Sequence, residues 1–341
     1  MRLMFLTSGP QAPSTRFRVL PWVQRLRAEG HACVIAHSRP DKYEQWPWLG
    51  FRLSRRARRV GRWLDVFRLR LQSFDVVFLE RELFHDGTFD IEEHVRAAAR
   101  RLVLDVDDGI FLNWPEKFRK IASMADCVIA GSGLLAEECR RAASHVVVVP
   151  TCVDVSRYPV KQHSDPQRPV IGWTGTSSNL RYLRGLEPAL AAVAARHTFD
   201  LDVIADAAAE RGLPRIPGAP VRHRLWTPET EASDLLRFDV GVMPLDDGPW
   251  ERFKCGLKLL QYMAAGLPTA ASPVGVNPEI LSPGESGFLA GTQAEWETAL
   301  ERLLTDGDLR ARFGRAGRRL VEERYSIDAH WPAWRAAVLG D

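Results

Sequence analysis

The fold of the second half of the chain is decided by the stretch Phe253-Lys254-Cys255-Gly256-Leu257-Lys258-Leu259-Leu260-Gln261-Tyr262-Met263-Ala264-Ala265-Gly266-Leu267-Pro268. Its body contains good helix formers, Gly266 stands where a left-handed helix end is needed, and Pro268 prevents the helix from continuing. The pattern therefore predicts a helix over residues 254–265, followed by a short buried strand over residues 268–271.

The predicted helix carries one polar stripe. At about 100° per residue, Lys254, Lys258 and Gln261 fall on one face, while leucine and methionine side chains cover the others. Burying two ammonium groups is costly unless they meet an anion or a carboxylate, so the stripe should line a cleft that binds a phosphorylated ligand. A solvated face with two ordinary surface lysines also fits this spacing.

This stretch resembles the donor-site helix of glycosyltransferase family 4. The closest match is the subgroup with the motif Lys-x-x-x-Lys-Leu-Leu-Gln/Glu-Tyr-Met-Ala-x-Gly, followed by Ser-Pro-Val-Gly-Val-Asn, which occupies residues 272–277 here. Phe253 and Gln261 stand where the wider family has two glutamates. The resemblance implies that Lys254 and Lys258 neutralise the diphosphate of a nucleotide sugar and that Gln261 contacts its ribose.

Composition predicts an ordinary soluble protein. With 341 residues, of which 45% are hydrophobic and 26% charged, the chain is long enough for two domains. Its apolar start is too short for a signal peptide and no run is long enough to span a bilayer, so we expect a cytoplasmic protein. The five cysteines are scattered, without the paired spacing of a zinc site or the density of a disulfide scaffold. We therefore expect them to be small buried apolar side chains. The family resemblance implies that no metal is needed, and we expect no cofactor, since the nucleotide sugar is a substrate.

Apolar runs alternate with helical patterns throughout, which predicts an α/β protein with two Rossmann-like domains and parallel sheets. Strands are predicted at 3–6, 32–36, 75–79, 102–106, 127–130, 146–149, 170–174, 201–205, 221–225, 240–244, 268–271 and 287–289. The principal helices are predicted at 18–29, 90–101, 115–124, 133–142, 180–196, 229–236, 254–265, 293–305, 307–323 and 327–338. The family resemblance implies the GT-B fold: an acceptor domain over residues 1–155, a donor domain over 156–325 that faces it, and a helix over 326–341 that returns to the first domain.

Two loops of the predicted second domain are candidates for donor binding. After the strand at 170–174, Gly175, Thr176 and Ser177 form a turn whose amides and hydroxyls could cradle a phosphate, although an ordinary helix-capping turn has the same composition. The other loop holds four candidates, Gly275, Val276, Asn277 and Glu279. In the family this loop closes over the donor sugar and its phosphates. Glu279 could instead be a carboxylate favoured by the first turn of a helix.

Candidates for the acceptor side lie in the first domain. Asp107 and Asp108 follow the strand at 102–106, where the family subgroup also has Asp-x-Asp-Asp, and could orient an acceptor hydroxyl or cap the next helix. A metal role is rejected because no third ligand is identifiable nearby. Arg81 follows the third strand, and Arg16 and Arg18 lie in the loop after the first strand, which in the family is close to the acceptor.

A basic amphipathic helix is predicted over residues 51–71. Eight arginines against Asp65 give the segment a charge of +7, and since the whole chain carries +3, the rest carries −4. This pattern fits a helix resting on an anionic membrane surface, on the inner face of the cell membrane, or a helix packed on its own sheet with a solvated basic back. Nucleic acid is a poorer partner because the remainder of the chain is acidic. The apolar stripe consists of Leu53, Ala57, Val60, Leu64, Phe67 and Leu71.

Together with the family resemblance, these features predict an enzyme that moves a sugar from a UDP- or GDP-sugar to a glycan or lipid-linked acceptor, in the synthesis of cell-surface polysaccharide or glycoconjugate. The resemblance implies that the enzyme is retaining and metal-independent. Two alternatives stay open. The missing glutamates fit a catalytically silent subunit that binds a nucleotide sugar. The same fold also supports nucleotide-sugar epimerases.

Overall fold

The computed structural model describes residues 1–340 and divides into two compact units, each built on a six-stranded parallel sheet. Unit 1 contains Met1–Cys152, Phe253–Cys255 and the end of the chain from His330. Unit 2 contains Val153–Arg252 and Gly256–Ala329.

All twelve predicted strands form, within one residue of their predicted bounds. Strands buried on both faces of a parallel sheet appear in the sequence as continuous apolar runs, which is why they could be located so closely. The strands of unit 1 are β1 (Arg2–Thr7), β2 (Ala32–His37), β3 (Val76–Glu80), β4 (Arg101–Val106), β5 (Cys127–Ala130) and β6 (Val146–Val148). Those of unit 2 are β7 (Val170–Thr174), β8 (Asp200–Ala205), β9 (Val221–Leu225), β10 (Val240–Met243), β11 (Thr269–Ala271) and β12 (Gly287–Leu289).

The helices cover the sheets and connect successive strands. Up to the end of β6 they are α1 (Pro13–Arg18), α2 (Leu20–Ala28), α3 (Gly50–Leu71), α4 (Asp90–Ala98), α5 (Pro115–Met124) and α6 (Gly133–Arg140). The later ones are α7 (Leu180–Gly185), α8 (Glu187–Ala194), α9 (Glu231–Asp234), α10 (Leu257–Ala264), α11 (Asn277–Ile280), α12 (Gln293–Thr305), α13 (Gly307–Arg324) and α14 (Ile327–Leu339). The predicted helix at 180–196 is two helices, α7 and α8.

The predicted helix at 254–265 is wrong at its start. Gly256 has a φ of +67°, a left-handed conformation, and α10 begins only at Leu257. Lys254 therefore lies outside the helix, in a segment that belongs to unit 1, and the helical stripe predicted from Lys254, Lys258 and Gln261 does not exist.

The predicted end of that helix is confirmed. Gly266 has a φ of +71°, and its amide donates to the carbonyl of Met263 at 2.9 Å. The amide of Leu267 donates to the carbonyl of Tyr262, also at 2.9 Å. These two bonds form a Schellman motif, which satisfies carbonyls that the last helical turn would leave unpaired.

The strand order places a crevice in each sheet. In unit 1 the order is β2-β1-β3-β4-β5-β6, and in unit 2 it is β12-β11-β10-β7-β8-β9. The direction of winding reverses between β1 and β3 in unit 1, and between β7 and β10 in unit 2. Ligands of open α/β sheets bind at such reversal points, beyond the carboxyl ends of the strands.

The last helix contributes to unit 1 through aromatic stacking. The rings of Trp22 and Trp334 stack with centroids 5.1 Å apart, and Trp331 stacks on Trp334 at 5.8 Å. The guanidinium of Arg101 donates to two carbonyls near the end of α14, at 3.1 and 2.8 Å. These contacts cover the part of unit 1 formed by β4 and α2.

Candidate functional site

In unit 2, the reversal point brings together a glycine and a lysine that are distant in sequence. A side chain at Gly175 would place its Cβ 2.5 Å from the ring of Trp173 and 3.1 Å from Cε of Lys258, so only glycine fits between them. The Lys258 ammonium lies 5.6 Å from the centroid of the Trp173 ring. The chain therefore presents a bare backbone and a cation where this sheet order binds ligands.

Lys258 also belongs to the first turn of α10, at its positive end. The helix starts after Gly256, which is left-handed and provides no side-chain cap. Amides in the first turn of a helix lack helical partners, and the helix dipole favours negative charge there. A lysine in such a turn adds a full positive charge to this partial one, a combination suited to an anionic ligand.

Two other residues of α10 are buried and bonded within unit 2. The hydroxyl of Tyr262 accepts a hydrogen bond of 2.9 Å from the amide of Thr174, so it fixes the end of β7, and burial raises the pKa of Tyr262. Gln261 donates from its side-chain amide to the hydroxyl of Tyr158 at 3.2 Å and is almost fully buried. Its predicted contact with a ribose stays a prediction, and its carbonyl oxygen and second amide hydrogen are left to make one.

The loop after β11 is held in shape by its own contacts. Gly275 has a φ of +57°, and a Cβ on it would lie 2.7 Å from the carbonyl oxygen of Arg252. Asn277 is buried and donates from its side-chain amide to the carbonyl of Ser272 at 2.9 Å. Val276 is also buried, whereas Glu279 is exposed in the first turn of α11. The glycine and asparagine therefore shape this loop, and Glu279 remains available for contact.

The turn after β7 is bonded to an acidic residue, located just after β8, that the sequence did not point to. The amide of Ser177 donates to the carboxylate of Asp206 at 2.6 Å, and the hydroxyls of Thr176 and Ser178 lie 2.9 Å apart. Burial opposes ionisation of Asp206, but hydrogen bonds from Ser177 and Ala208 outweigh it and lower its pKa. The Ser177 amide thus already donates to a carboxylate, so the predicted phosphate cradle has one amide donor fewer.

A second acidic residue missed by sequence reasoning is Glu251, in the loop between β10 and α10. It is buried, accepts a short hydrogen bond from the Tyr182 hydroxyl, and pairs with the guanidinium of Arg181 at 2.8 Å. Burial and the neighbouring carboxylate raise the pKa of Tyr182 to about 12. About seventy residues separate these partners, so no local pattern could have revealed the cluster.

In unit 1, Glu80 organises the loop after β1. Its buried carboxylate accepts hydrogen bonds from the Ser8 amide at 3.2 Å and from the hydroxyls of Ser14 and Thr15, both at 2.5 Å. Burial raises the pKa of Glu80, although these donors oppose the rise. One buried carboxylate therefore fixes the conformation of the loop that the family resemblance places near the acceptor.

Arg81 lies at the reversal point of unit 1 in an unusual backbone conformation. Its φ of +54° is rare for a residue other than glycine and costs free energy that the surrounding contacts must offset. The guanidinium contacts both carboxylate oxygens of Asp107 and lies 3.5 Å from Asp108. The predicted acceptor-side residues Arg81, Asp107 and Asp108 thus form one cluster.

The two carboxylates of this cluster differ in their protonation behaviour. Burial would raise the pKa of Asp107, but its ion pair with Arg81 outweighs burial and lowers the pKa. Burial raises the pKa of Asp108, with smaller opposing effects from Arg81 and Lys254. Lys254 therefore contributes its charge to the acceptor-side cluster of unit 1. Asp107 stays ionised to low pH, while Asp108 is the better proton acceptor.

The other two predicted arginines are buried. Arg18 pairs with Asp105 through two hydrogen bonds of 3.0 and 2.6 Å and donates to the carbonyl of Val149 at 2.8 Å. Its guanidinium therefore joins three parts of unit 1 and is not exposed to an acceptor. Arg16 is also buried, with its guanidinium 5.3 Å from the ring of Phe17.

Phe253 occupies the position of the first family glutamate and packs in an apolar environment. Its ring meets that of Phe111 nearly perpendicularly, with centroids 4.7 Å apart. The neighbouring Cys255 thiol lies 3.2 Å from the carbonyl oxygen of Asp107. This segment of unit 1 therefore holds the acceptor-side cluster by packing, and Phe253 offers no polar group to a sugar.

Within residues 1–340, no group of three or more His, Cys, Asp or Glu side chains is arranged to hold a metal ion. None of the helices in that range is both long and apolar enough to cross a membrane.

Comparison with known proteins found one family match within the chain and several solved structures with the same fold. Residues 168–306 match the family model described as Glycosyl transferases group 1. Apart from Phe253–Cys255, this region lies within unit 2, and it contains Gly175, Lys258 and the loop after β11. A search of curated proteins found no match.

Solved glycosyltransferase structures share the fold over the whole chain. Sucrose-phosphate synthase from Thermosynechococcus elongatus is 17% identical with a TM-score of 0.72, and the match covers 98% of each chain. Anabaena HepE in complex with UDP and glucose is 16% identical with a TM-score of 0.70, covering 100% of both chains. The lipopolysaccharide outer core galactosyltransferase WaaB is 15% identical with a TM-score of 0.64, covering 100% of this chain and 99% of the other. The predicted fold class, a two-domain Rossmann-like GT-B fold, is confirmed.

Proposed function

We propose that the protein transfers a sugar from a nucleoside diphosphate sugar to a glycan or lipid-linked acceptor, with retention at the anomeric carbon. The observation that carries the proposal is the position of the Lys258 side chain beside the bare backbone of Gly175, at the reversal point of unit 2. A backbone without a side chain lets a diphosphate approach closely, and the ammonium supplies the opposite charge. We assign donor binding to this place because the matched family region contains it.

In the proposed reaction, the bond between the anomeric carbon and the diphosphate breaks while a bond to the acceptor oxygen forms. Negative charge develops on the leaving diphosphate, and groups fixed in advance near that charge accelerate the step. Lys258 and the positive end of α10 are suited to this role. Retention is implied by the family resemblance.

Acceptor orientation is assigned to the cluster in unit 1. Asp107 is engaged by Arg81, which leaves Asp108 as the carboxylate able to accept a hydrogen bond from an acceptor hydroxyl. The raised pKa of Asp108 makes it a better proton acceptor than Asp107. We therefore expect Asp108→Asn to reduce transfer while leaving nucleotide binding intact.

The similar structures favour particular substrates. HepE was solved with UDP and glucose, and WaaB is described as a lipopolysaccharide galactosyltransferase. UDP-hexoses are therefore the donors to test first, with GDP-sugars second. A role in cell-surface polysaccharide or glycoconjugate synthesis, in the cytoplasm, is part of this proposal.

The test begins with nucleotide binding. Thermal unfolding is measured with UDP, GDP and their hexose conjugates, because a ligand at 100 times its Kd adds about 2.7 kcal/mol to the free energy of unfolding. The stabilising donor is then incubated with glycan and lipid-linked acceptors, and the anomeric configuration of the product is read by NMR. Absence of stabilisation by every nucleotide would overturn donor binding, and an inverted product would overturn retention.

A second candidate, a nucleotide-sugar-binding subunit without transfer activity, is favoured by Phe253 and Gln261. Both replace glutamates of the family motif, and both are engaged in internal packing or hydrogen bonding. Nucleotide stabilisation without turnover across the acceptor panel would support this candidate. Interconversion of the donor sugar without an acceptor would instead indicate an epimerase.

A further inference from the structure

Helix α3 turns its apolar side away from the domain that carries it. The five large members of the apolar stripe, Leu53, Val60, Leu64, Phe67 and Leu71, are 47% to 68% exposed. Trp63 borders the stripe and is 39% exposed, and Trp48, just before the helix, is 78% exposed. A surface helix normally directs such a stripe towards its own core, so the interpretation as an ordinary packed helix is wrong here.

The inward side of α3 is held largely by arginines. Arg62 is buried and donates to the carbonyls of Ala36 at 2.9 Å and Thr7 at 2.6 Å. Arg58 donates to carbonyls in the segment after β2, at distances from 2.6 to 3.3 Å. Val66 and Leu69 complete the buried side. These hydrogen bonds fix the rotation of the helix, so the outward direction of the stripe is built into unit 1.

Positive charge flanks the exposed stripe. Arg55 and Arg59 are paired with Asp86 and Asp90. The exposed residues Arg52, Arg56 and Arg70 lie along one border of the stripe by helical geometry, and none of them makes a side-chain hydrogen bond or ion pair with residues 1–340. Arg68 lies along the other border. The surface thus combines apolar side chains with unneutralised cations.

We propose that α3 is a docking surface for an anionic lipid membrane. The helix has 22 residues and is therefore about 33 Å long, enough to lie along the interface with its apolar stripe between the acyl chains and its arginines at the phosphates. A second copy of the chain is a poorer occupant. Two such surfaces facing each other would bring together the unpaired arginines of both copies.

Docking has a consequence for the acceptor, which rests on the proposed function. Arg62 holds the middle of α3 against Thr7, the last residue of β1, and Arg58 binds the segment that follows β2. The amino-terminal half of α3 therefore lies near the carboxyl ends of the strands, where Arg81 and Asp107 also lie. A membrane bound to α3 would bring this end of the sheet to the lipid surface, which suits an acceptor carried on a lipid.

The proposal is tested by flotation of the purified full chain with vesicles, in the absence of any donor or acceptor. Vesicles of phosphatidylcholine mixed equally with phosphatidylglycerol should carry the protein, pure phosphatidylcholine should carry much less, and added salt should weaken binding. Replacing Arg52, Arg56 and Arg70 together by Gln should lower the partition coefficient about a hundredfold, since each cation near an anionic surface contributes about 1 kcal/mol. The double variant Leu64→Ser and Phe67→Ser should lower it at least about tenfold.

Matched controls distinguish membrane binding by this surface from nonspecific binding through exposed charged or apolar side chains elsewhere. The control for charge replaces Arg140, Arg315 and Arg319 by Gln, which are exposed and lie on other helices. The control for the apolar change is Leu225→Ser, because Leu225 is 58% exposed and Leu64 is 64% exposed. Both controls should float like the wild type, and thermal unfolding should confirm that every variant is folded.

Three outcomes would overturn the proposal: no flotation of the wild type, equal loss in the controls, or unchanged flotation of the double variant. Sedimentation would add a fourth, a wild-type dimer that becomes a monomer only in the double variant, which would assign the stripe to a second copy. Because flotation needs no sugar or nucleotide, its failure would leave donor binding untouched, and failed transfer would not affect flotation.

Discussion

Removing the charge of Lys258 should damage donor binding far more than folding. The ammonium lies 5.6 Å from the centroid of the Trp173 ring, a contact of about 0.5 to 1 kcal/mol at a partly exposed site. A charge-assisted contact with a leaving phosphate is larger, about 1.5 to 3 kcal/mol. Lys258→Ala should therefore lower kcat/KM by about tenfold to a hundredfold, while the free energy of unfolding falls by about 1 kcal/mol or less.

Two further variants separate charge from packing. Lys258→Met keeps an unbranched apolar chain against the tryptophan ring but removes the cation, whereas Lys258→Arg keeps the cation with a different shape. We expect Met to lose UDP binding as Ala does and Arg to retain part of it. Calorimetric titration with UDP and measurement of initial transfer rates provide the two readouts.

The reasoning would be refuted by a Lys258→Met enzyme that binds UDP and turns over like the wild type. A loss of activity that is matched by a large loss of stability would also count against it, because the residue would then act through folding. Weak UDP binding with a loss of about 1 kcal/mol or less in the free energy of unfolding is the expected result.

Three other changes test the units separately. Gly175→Ala should weaken UDP binding because its Cβ would lie 2.5 Å from the adjacent tryptophan ring, whereas Gly185→Ala, with no atom within 4 Å of its Cβ, should leave UDP titration curves unchanged. Asp107→Asn should lower the free energy of unfolding by about 3 kcal/mol in urea titrations, because it removes the carboxylate that makes the two close contacts of the partly buried Arg81 and leaves only Asp108 at 3.5 Å; equal stability would mean that the pair is unimportant. Burial alone would raise the pKa of Glu82, but the ion pair with the buried Lys42 lowers it from 4.5 to about 2. The ionised carboxylate therefore stabilises the fold above pH 4.5, and this contribution is lost as the pH falls towards 2. The contribution is about 3 kcal/mol, and acid titration of Glu82→Gln should show a flatter decline than the wild type; parallel curves would contradict this.

The strands were predictable from the sequence because burial on both sheet faces leaves little freedom in residue type. The start of α10 was predicted wrongly, although the sequence contained a signal for it. Gly256 interrupts an otherwise helical pattern, and an isolated glycine there can mark a left-handed residue. Since that one conformation separates Lys254 from Lys258, two lysines that share a helical face in the sequence pattern occupy different units.

The direction of α3 could not be predicted for a different reason. Its amphipathic pattern was evident, but either face of the helix could have packed inward. The decision depends on Arg58 and Arg62, which find backbone carbonyls at the ends of distant segments. Such hydrogen bonds depend on tertiary structure and have no local pattern.

The candidate site was predicted in part for the same physical reasons. Gly175 and the glycine of the loop after β11 could be located because tight backbone positions exclude other residues. Glu251 and Asp206 could not, since their partners are side chains and amides brought close only by the folded sheet. Buried carboxylates of this kind are recognisable only after the fold is known.

The stacked tryptophans of unit 1 impose an order on folding during synthesis. Trp331 and Trp334 are translated long after Trp22, with the whole sheet of unit 2 between them, and the segment at Phe253–Cys255 also comes after most of unit 1. Chains usually fold domain by domain from the amino terminus as they emerge. Unit 1 can therefore be completed only after the strands of unit 2 have been translated, and until then part of the aromatic core of the nascent amino-terminal domain stays uncovered.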